Sequence, residues 1–311
     1  MDKILVAGID SVVGANLAAC LAHRYQVVGL SWSDSISIDG CQTAVCKDKA
    51  DEAHHWVASE RPNWLIYCGP ASHSCWNLPP ASLRPEAAQS AGAWARAAVN
   101  FGCELTTISS DAVFTGPWMF HRESGSCHCD SSAARIIRLI EQEITAVCPD
   151  SLLVRTNAYG WAPSANVGSF VETTLQAMQN EDELAIDYMR HATPILATDL
   201  VEILERAFQS RLHGAFHIAG GERVNPFRFA CLLADQFGMS TSSLIPQEAS
   251  AEQRREFGAG ETSLQTRRIR KTLDMPLPLV REGIARLYEQ SISGYRDRFG
   301  VPSPMLVERV A

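Results

Sequence analysis

The start of the chain alternates between short apolar runs and an apolar stripe at helical spacing. "ILVAG" (4–8) and "QVVGL" (26–30) are continuous apolar runs, typical of strands buried on both faces of a parallel sheet. Between them, Val13, Leu17 and Leu21 recur at the spacing of one helix face. The pattern therefore predicts a strand, a turn, a helix and a second strand, which together form a βαβ unit.

The same alternation continues through the rest of the chain. The pattern predicts strands over 63–69, 103–116, 151–161 and 214–220, and helices over 85–102 and 197–210. Strands that alternate with helices predict an α/β fold with a doubly wound parallel sheet. In such a fold the ligand crevice lies at the carboxyl ends of the strands.

Composition narrows the class of protein. The chain has 311 residues and a net charge of −8, which argues against a nucleic-acid-binding face, and the basic run 267–271 is expected to be a solvated helix face. No apolar run approaches the roughly 18–20 residues that span a bilayer. The opening "MDKILVAGID" enters a strand at once, without a signal-peptide pattern. We therefore expect a cytoplasmic protein, not bound to membranes, whose ten cysteines are reduced thiols.

The turn after the first predicted strand carries an altered glycine fingerprint. Gly8 and Gly14 stand at its first and third positions, and Ser11 replaces the middle glycine. The first glycine permits a tight turn, the third permits close helix–strand packing, and the middle one lets backbone approach a pyrophosphate. Ser11 adds a β-carbon at that approach, and Asp10 adds a negative charge to the loop. The turn predicts a dinucleotide site, with a non-binding glycine turn as the alternative.

The end of the second predicted strand lacks the usual cofactor signal. Ser31 and Trp32 stand where an acidic residue would hold the ribose of NAD, and no nearby arginine replaces it to favour NADP. The choice between NADP and NAD therefore stays open, and weak or absent cofactor binding is among the expectations.

Five motifs then occur in a characteristic order: "TISSDAVFTG", "LLVRTNAYG", "TPILATDLVE", "GAFHIAGGERVNPFRFACLLADQFG" and "MPLPLVREGIARL". In this order they resemble the extended short-chain dehydrogenase/reductase superfamily, in particular its dTDP-4-dehydrorhamnose reductase branch. The resemblance implies a Rossmann domain over 1–160, to which 196–221 return, and a smaller substrate lobe over 161–195 and 222–311. It also implies that NADP or NAD binds to the Rossmann domain and that a nucleotide-sugar binds in the substrate lobe.

The resemblance assigns binding residues at the carboxyl ends of the strands. The positions it gives to the cofactor are Gly8, Ser11, Val12, Val13, Gly14, Ser31, Gly69 and Pro70. For the substrate it indicates Arg190 and His191, with a solvated loop as the alternative. His73 is a further substrate candidate because it follows the strand that ends at Gly69, with a loop histidine that binds nothing as the alternative.

Reductases of this family polarise a ketone with a Ser or Thr hydroxyl and protonate it with a tyrosine. A lysine four residues after the tyrosine lowers the pKa of the phenol. Ser109 and Ser110 match the hydroxyl position, with Ser110 as the first choice.

The tyrosine and lysine themselves are missing. Glu123 and Glu141 match acidic residues that flank this pair in the family, and their spacing places the tyrosine at Ala133 and the lysine at Ile137. Neither side chain can donate a proton. The resemblance thus implies the scaffold of a reductase without its standard chemistry.

The loop 120–132 holds two histidines, two cysteines and an aspartate that could compensate. His128 or Cys129 is the candidate replacement for the proton donor, with His128 as the first choice because histidine titrates in the required range. The spacing of Cys127, His128 and Cys129 is too tight for a usual tetrahedral zinc site, so no metal is expected. A polar surface loop is the plain alternative.

Three functions follow from these observations. The first is a binding or regulatory protein that holds a dinucleotide, a nucleotide-sugar or another small ligand, with a protein partner or a second copy. The second is an oxidoreductase on a sugar nucleotide with a non-standard proton donor. The third is a structural interaction module without a cofactor. Ala133 and Ile137 favour the first over the second.

Overall fold

A computed structural model describes residues 2–47, 50–77, 83–164, 168–248 and 260–300. The strands are β1 (Lys3–Ala7), β2 (Gln26–Ser31), β3 (Cys41–Val45), β4 (Trp64–Tyr67), β5 (Glu104–Ser110), β6 (Leu152–Thr156), β7 (Ala158–Tyr159), β8 (Leu184–Asp187), β9 (Ile195–Leu196), β10 (Gly214–His217) and β11 (Leu244–Gln247). The α-helices are α1 (Val12–Leu21), α2 (Ala50–Glu60), α3 (Glu86–Phe101), α4 (Ser132–Val147), α5 (Phe170–Asn180), α6 (Ala197–Gln209), α7 (Pro226–Phe237), α8 (Arg267–Leu273) and α9 (Val280–Ile292).

Seven of these strands form one sheet in the order β10-β6-β5-β4-β1-β2-β3, and every neighbouring pair in it is parallel. From β1, the chain adds β2 and β3 on one side and then β4, β5, β6 and β10 on the other, so the order of strand addition reverses between β1 and β4. This reversal leaves a crevice at the carboxyl ends of β1 and β4. The predicted α/β fold with a doubly wound parallel sheet is confirmed.

Burial explains why the central strands read as continuous apolar runs. All four residues of the run Ile4–Ala7 are fully buried, and β4 is buried throughout. Helices α2, α3 and α4 pack against one another, and α1 packs against α6. Strands enclosed on both faces need apolar side chains pointing both ways.

The predicted strand over 151–161 is two elements. β6 belongs to the large sheet, whereas β7 pairs with β9 in a separate two-stranded sheet. Between them lies Asn157, which is fully buried and hydrogen-bonds through its side chain. The predicted strand over 103–116 also ends early, at Ser110, because Asp111–Val113 form a 3-10 turn capped by the Ser110 hydroxyl.

The remaining elements lie outside the large sheet. β8 pairs with β11, and α7 packs against α5 and α9. These elements fall in the segments assigned by resemblance to the substrate lobe, while β10 returns to the large sheet. The exact domain bounds stay a prediction. In α8, the basic run is exposed around a buried Ile269, as expected of a solvated helix face.

Two further expectations concern the whole chain. Across the described ranges, no helix is both long and apolar enough to cross a membrane. The ten cysteines all lie within those ranges, and each is a free thiol.

Candidate active site

The turn from β1 into α1 is built around two glycines. Gly8 has φ +106°, a conformation that side chains rarely adopt, and a β-carbon on it would lie 1.9 Å from the Cys68 carbonyl oxygen. A β-carbon on Gly14 would lie 2.1 Å from the Gly8 carbonyl oxygen. The turn and packing roles predicted for the first and third glycines therefore follow from close contacts.

Ser11, which replaces the middle glycine, begins the helix. Its hydroxyl accepts a hydrogen bond from the Gly14 amide at 3.0 Å and donates one to the Gly8 carbonyl at 2.8 Å. Serine is among the preferred residues at this capping position. The substitution thus stabilises the turn while adding a β-carbon to its surface.

A cavity of about 520 Å³ opens beside this turn, at the carboxyl ends of β1 and β4. Its volume lies in the range of small-molecule sites. The described residues lining it are Ser11, Val12, Val13, Ser72, His73, Ser74, Trp76, Asn77, Ala158, Gly168, Ser169, Phe170 and Thr173. The cavity therefore joins the glycine turn, the segment after β4 and the start of α5.

Three of the lining side chains have buried polar atoms without a hydrogen-bond partner. They are the Ser72 hydroxyl, the Trp76 indole N–H and His73 Nδ1. Ser72 is 3% exposed and Trp76 is 7% exposed, so water does not compensate these atoms freely. Buried polar groups are normally paired, and these three would gain partners if their side chains turned toward a polar ligand in the cavity.

Two helix N-termini border the cavity. Ser11 caps α1, and Ser169 caps α5 by accepting from the Glu172 amide. Asn77 holds the start of α5 in place, because its side-chain oxygen accepts from the Phe170 amide at 3.2 Å. The positive ends of two helix dipoles therefore meet at one cavity, which favours a negatively charged or strongly polar ligand.

His73 faces the cavity, as the sequence predicts. Burial lowers the pKa of its imidazole, so the ring is neutral near pH 7. The two other substrate candidates do not line the cavity: the Arg190 side chain lies 2.9 Å from an Asp187 carboxylate oxygen, and the His191 imidazole contacts the Met189 carbonyl.

The predicted cofactor residues are divided. Ser11, Val12 and Val13 line the cavity, whereas Ser31, Gly69 and Pro70 do not. Ser31 is 1% exposed, and its hydroxyl donates to the Asp34 carbonyl. Gly69 and Pro70 are buried.

The two candidate carbonyl-polarising serines are used inside the protein. Both are fully buried. Ser109 donates to Glu141 Oε1 at 2.6 Å, and the Ser110 oxygen accepts from the Ala112 amide at 3.1 Å. Neither serine lines the cavity, so the structure gives their hydroxyls structural partners and no exposed surface.

Helix α4 presents Ala133 in its first turn and Ile137 one turn later. Ile137 is fully buried within the hydrophobic core, and Ala133 packs against that core. The flanking Glu141 makes a two-point ion pair with Arg155, with N–O distances of 2.9 and 2.7 Å. The helix face that would carry a proton donor is thus part of the core.

His128, the candidate replacement acid, does not line the cavity. Its ring stacks on Phe114 with a centroid distance of 5.8 Å, and His121 stacks on Phe114 at 4.7 Å. Burial, together with the charge of Arg138, lowers the pKa of His128. In the described part of the chain, no group of three His, Cys, Asp or Glu side chains could hold a metal ion.

Sequence reasoning missed a buried polar network behind the cavity. Asp111 is fully buried and accepts hydrogen bonds from Thr262 Oγ1 at 2.7 Å, Asn157 Nδ2 at 2.9 Å and the Cys75 thiol at 3.0 Å. Ser74, in the cavity wall, donates to Asn157 Oδ1 at 2.9 Å. Burial raises the pKa of Cys75 well above its ordinary value, so this thiol is not a nucleophile.

Sequence reasoning also missed the α5 side of the cavity, Ser169, Phe170 and Thr173. The only local signal is a serine three residues before Glu172, which marks a helix start. Such a signal predicts a helix, but it does not reveal that the helix faces residues about a hundred positions earlier.

Comparison with known proteins places this geometry in a family. The family model of the RmlD substrate binding domain matches residues 1–292. The spore coat polysaccharide biosynthesis protein SpsK of Bacillus subtilis is 26% identical over 144 residues, which is 46% of this chain and 50% of that protein. Methionine adenosyltransferase 2 subunit beta of Danio rerio is 25% identical over 151 residues, 47% of each protein. The chain thus spans about half the length of the curated relatives it matches.

Solved structures give the same fold over almost the whole chain. A dTDP-4-dehydrorhamnose reductase from Bacillus anthracis, solved in complex with NADP, superposes with a TM-score of 0.74 at 18% identity. The match covers 93% of this chain and 98% of that one. With a family match over residues 1–292 and this doubly wound sheet, the chain belongs to the RmlD substrate-binding-domain family, an extended short-chain dehydrogenase/reductase type.

Proposed function

We propose that this protein binds a nucleotide-sugar, with or without a nicotinamide dinucleotide, and that it does not carry out the standard reduction of its family. It acts as a binding or regulatory protein. The observation that carries the proposal is helix α4, which offers Ala133 and Ile137 where the reductase mechanism needs a tyrosine and a lysine.

The burial of this helix supports the loss of the reaction. A general acid must reach the proton-accepting atom of its substrate within hydrogen-bond distance. Ile137 is 0% exposed, and the Ser109 and Ser110 hydroxyls are bonded inside the protein. The groups that would perform proton transfer and carbonyl polarisation are therefore replaced or withdrawn from the cavity.

The cavity itself supports ligand binding. It combines two helix N-termini with unpartnered polar atoms of Ser72, His73 and Trp76. Hydroxyls, phosphates and sugar oxygens can pair with such groups. The similar reductase from Bacillus anthracis was solved with NADP, which favours a nucleotide as the ligand class.

A protein partner is part of the proposal. One curated relative is named as the beta subunit of a larger enzyme, methionine adenosyltransferase 2. By analogy, this chain would act as a subunit that binds a protein partner.

The experiment follows NADPH oxidation at 340 nm with a dTDP-4-keto-6-deoxysugar, and in parallel measures dTDP-sugar binding by calorimetry. We expect binding without turnover. Trp76→Phe keeps a six-membered aromatic ring and removes the pyrrole ring with its N–H. The variant should therefore weaken dTDP-sugar binding roughly tenfold. The control Trp118→Phe, at a tryptophan that is 68% exposed, should change nothing. Turnover by the wild-type protein would overturn the proposal.

A further inference from the structure

Three aromatic side chains pack together beside the glycine turn, on its β2 side. Trp32 follows β2, Tyr67 ends β4, and Trp94 lies in α3. The Trp32 ring meets the other two edge-on, at centroid distances of 6.1 Å to Tyr67 and 5.8 Å to Trp94. Tyr67 and Trp94 are each 1% exposed, so Trp32 is the outermost member of a packed aromatic cluster.

The Trp32 indole lies against the first glycine of the turn. A β-carbon placed on Gly8 would be 2.9 Å from Trp32 Nε1, so the indole occupies the space beside this glycine. The Trp32 backbone is also held, because its amide donates to the Asp10 carboxylate at 3.2 Å. In dinucleotide-binding βαβ units, the residue at the end of the second strand hydrogen-bonds the ribose of the adenosine. Here the strand ends at Ser31, whose hydroxyl donates to the Asp34 carbonyl, and the large Trp32 ring follows directly.

The cavity described above lies on the other side of the turn. It runs from Ser11–Val13 to the start of α5, and no described residue of β2 or of its following loop lines it. On the β2 side, the space beside Gly8 is taken by the Trp32 indole, which packs on Tyr67 and Trp94.

We infer that Trp32 excludes the adenosine half of NAD or NADP, and that the ligand of the cavity is a single nucleoside diphosphate with its sugar. This inference rests on the proposed function and narrows it. A dinucleotide cannot bind the described arrangement unless the indole leaves its contacts with Gly8, Tyr67 and Trp94, and that displacement would lower its affinity.

Calorimetric titration of NADPH, NADH and dTDP-glucose into wild-type protein and into Trp32→Ala tests the inference. Wild type should bind dTDP-glucose more tightly than either dinucleotide. Trp32→Ala should bind NADPH or NADH at least tenfold more tightly than wild type does, with dTDP-glucose affinity changed by less than twofold. Trp32→Ser repeats the test with a second small side chain. Trp118→Ala controls for the loss of a tryptophan at an exposed position, and circular dichroism checks folding.

The outcomes separate this inference from the proposed function. Unchanged or weaker dinucleotide binding in both folded variants would overturn it, because the ring would then be neutral or would stack on the adenine. Tight dinucleotide binding by wild type without turnover would also overturn it, while leaving the non-catalytic role intact. Turnover of a keto sugar by wild type would overturn both, because hydride transfer needs a bound dinucleotide.

Discussion

Among single side chains, His217 is a histidine whose pKa is strongly affected by its surroundings. It is fully buried at the end of β10, and its ring lies edge-on to Phe114 at 5.5 Å. Burial, together with the positive charge of Arg155, lowers the pKa of its imidazole to about 3. The folded protein therefore holds this histidine neutral over a pH range in which the unfolded chain protonates it.

This difference predicts an acid-sensitive fold. The unfolded state binds a proton at this histidine below its pKa of about 6.5, whereas the folded state does not bind it until about pH 3. As the pH falls between these values, the free energy of unfolding therefore decreases by up to about 1.4 kcal/mol per pH unit. Urea unfolding at pH 7 and pH 5 should show a loss that is about 2 kcal/mol smaller in His217→Phe than in wild type. The exposed His213→Phe should behave as wild type. An equal loss in all three proteins would show that His217 titrates normally.

At the scale of elements, the burial of α4 predicts that the tyrosine and lysine expected from the family resemblance cannot simply be restored. Ile137 is fully buried, whereas Leu139 on the same helix is 47% exposed. Ile137→Lys would bury an ammonium group and should lower the free energy of unfolding by about 3 kcal/mol or more. Leu139→Lys should change it by no more than about 0.5 kcal/mol.

We also expect Ala133→Tyr with Ile137→Lys to show no NADPH oxidation. Turnover in that double variant would show that the pocket had kept its reductase geometry.

The ion pairs of α4 differ in the same way. Glu141 is 5% exposed and bonds Arg155 at two points, whereas Glu143 meets Arg96 at the surface. Glu141→Gln leaves a buried guanidinium without its counter-charge and should cost about 3 kcal/mol. Glu143→Gln should cost less than about 0.5 kcal/mol. Thermal and urea unfolding of the two variants measure the difference, and similar losses would mean that burial does not set the strength of these pairs.

The sequence predicts those elements whose hydrophobic pattern reflects the burial of their own faces. β1, β2 and β4 are apolar because both faces are covered. In α1, eight of the ten residues are buried, so burial extends beyond the predicted stripe of Val13, Leu17 and Leu21. β8 and β11 were missed, because they are four residues long and each has only one buried residue, Ile186 and Leu244, so neither shows an apolar run. His73 could be placed at the crevice because it follows a predicted strand, whereas the α5 residues of the cavity depend on a contact between distant segments.

At the scale of the whole molecule, a glycine lets helix α9 lie close to strand β7. Gly283 lies in α9, and a β-carbon on it would be 2.2 Å from the Tyr159 hydroxyl oxygen of β7. The Arg286–Asp199 pair, with two N–O distances of 2.7 Å, joins the same helix to α6. Close backbone approach at Gly283 therefore helps to fix the position of α9 against β7.

This contact can be tested by a double-mutant cycle. Gly283→Ala alone should lower the free energy of unfolding by about 1–3 kcal/mol, because the new methyl group overlaps the Tyr159 hydroxyl. Tyr159→Phe removes that oxygen, and the next ring atom would be 3.4 Å away, so the double variant should regain most of the loss. The coupling energy between the two changes should exceed about 1 kcal/mol, as expected for residues in direct contact. Additive effects in urea unfolding would show that α9 shifts to relieve the overlap, and that the glycine does not fix its position.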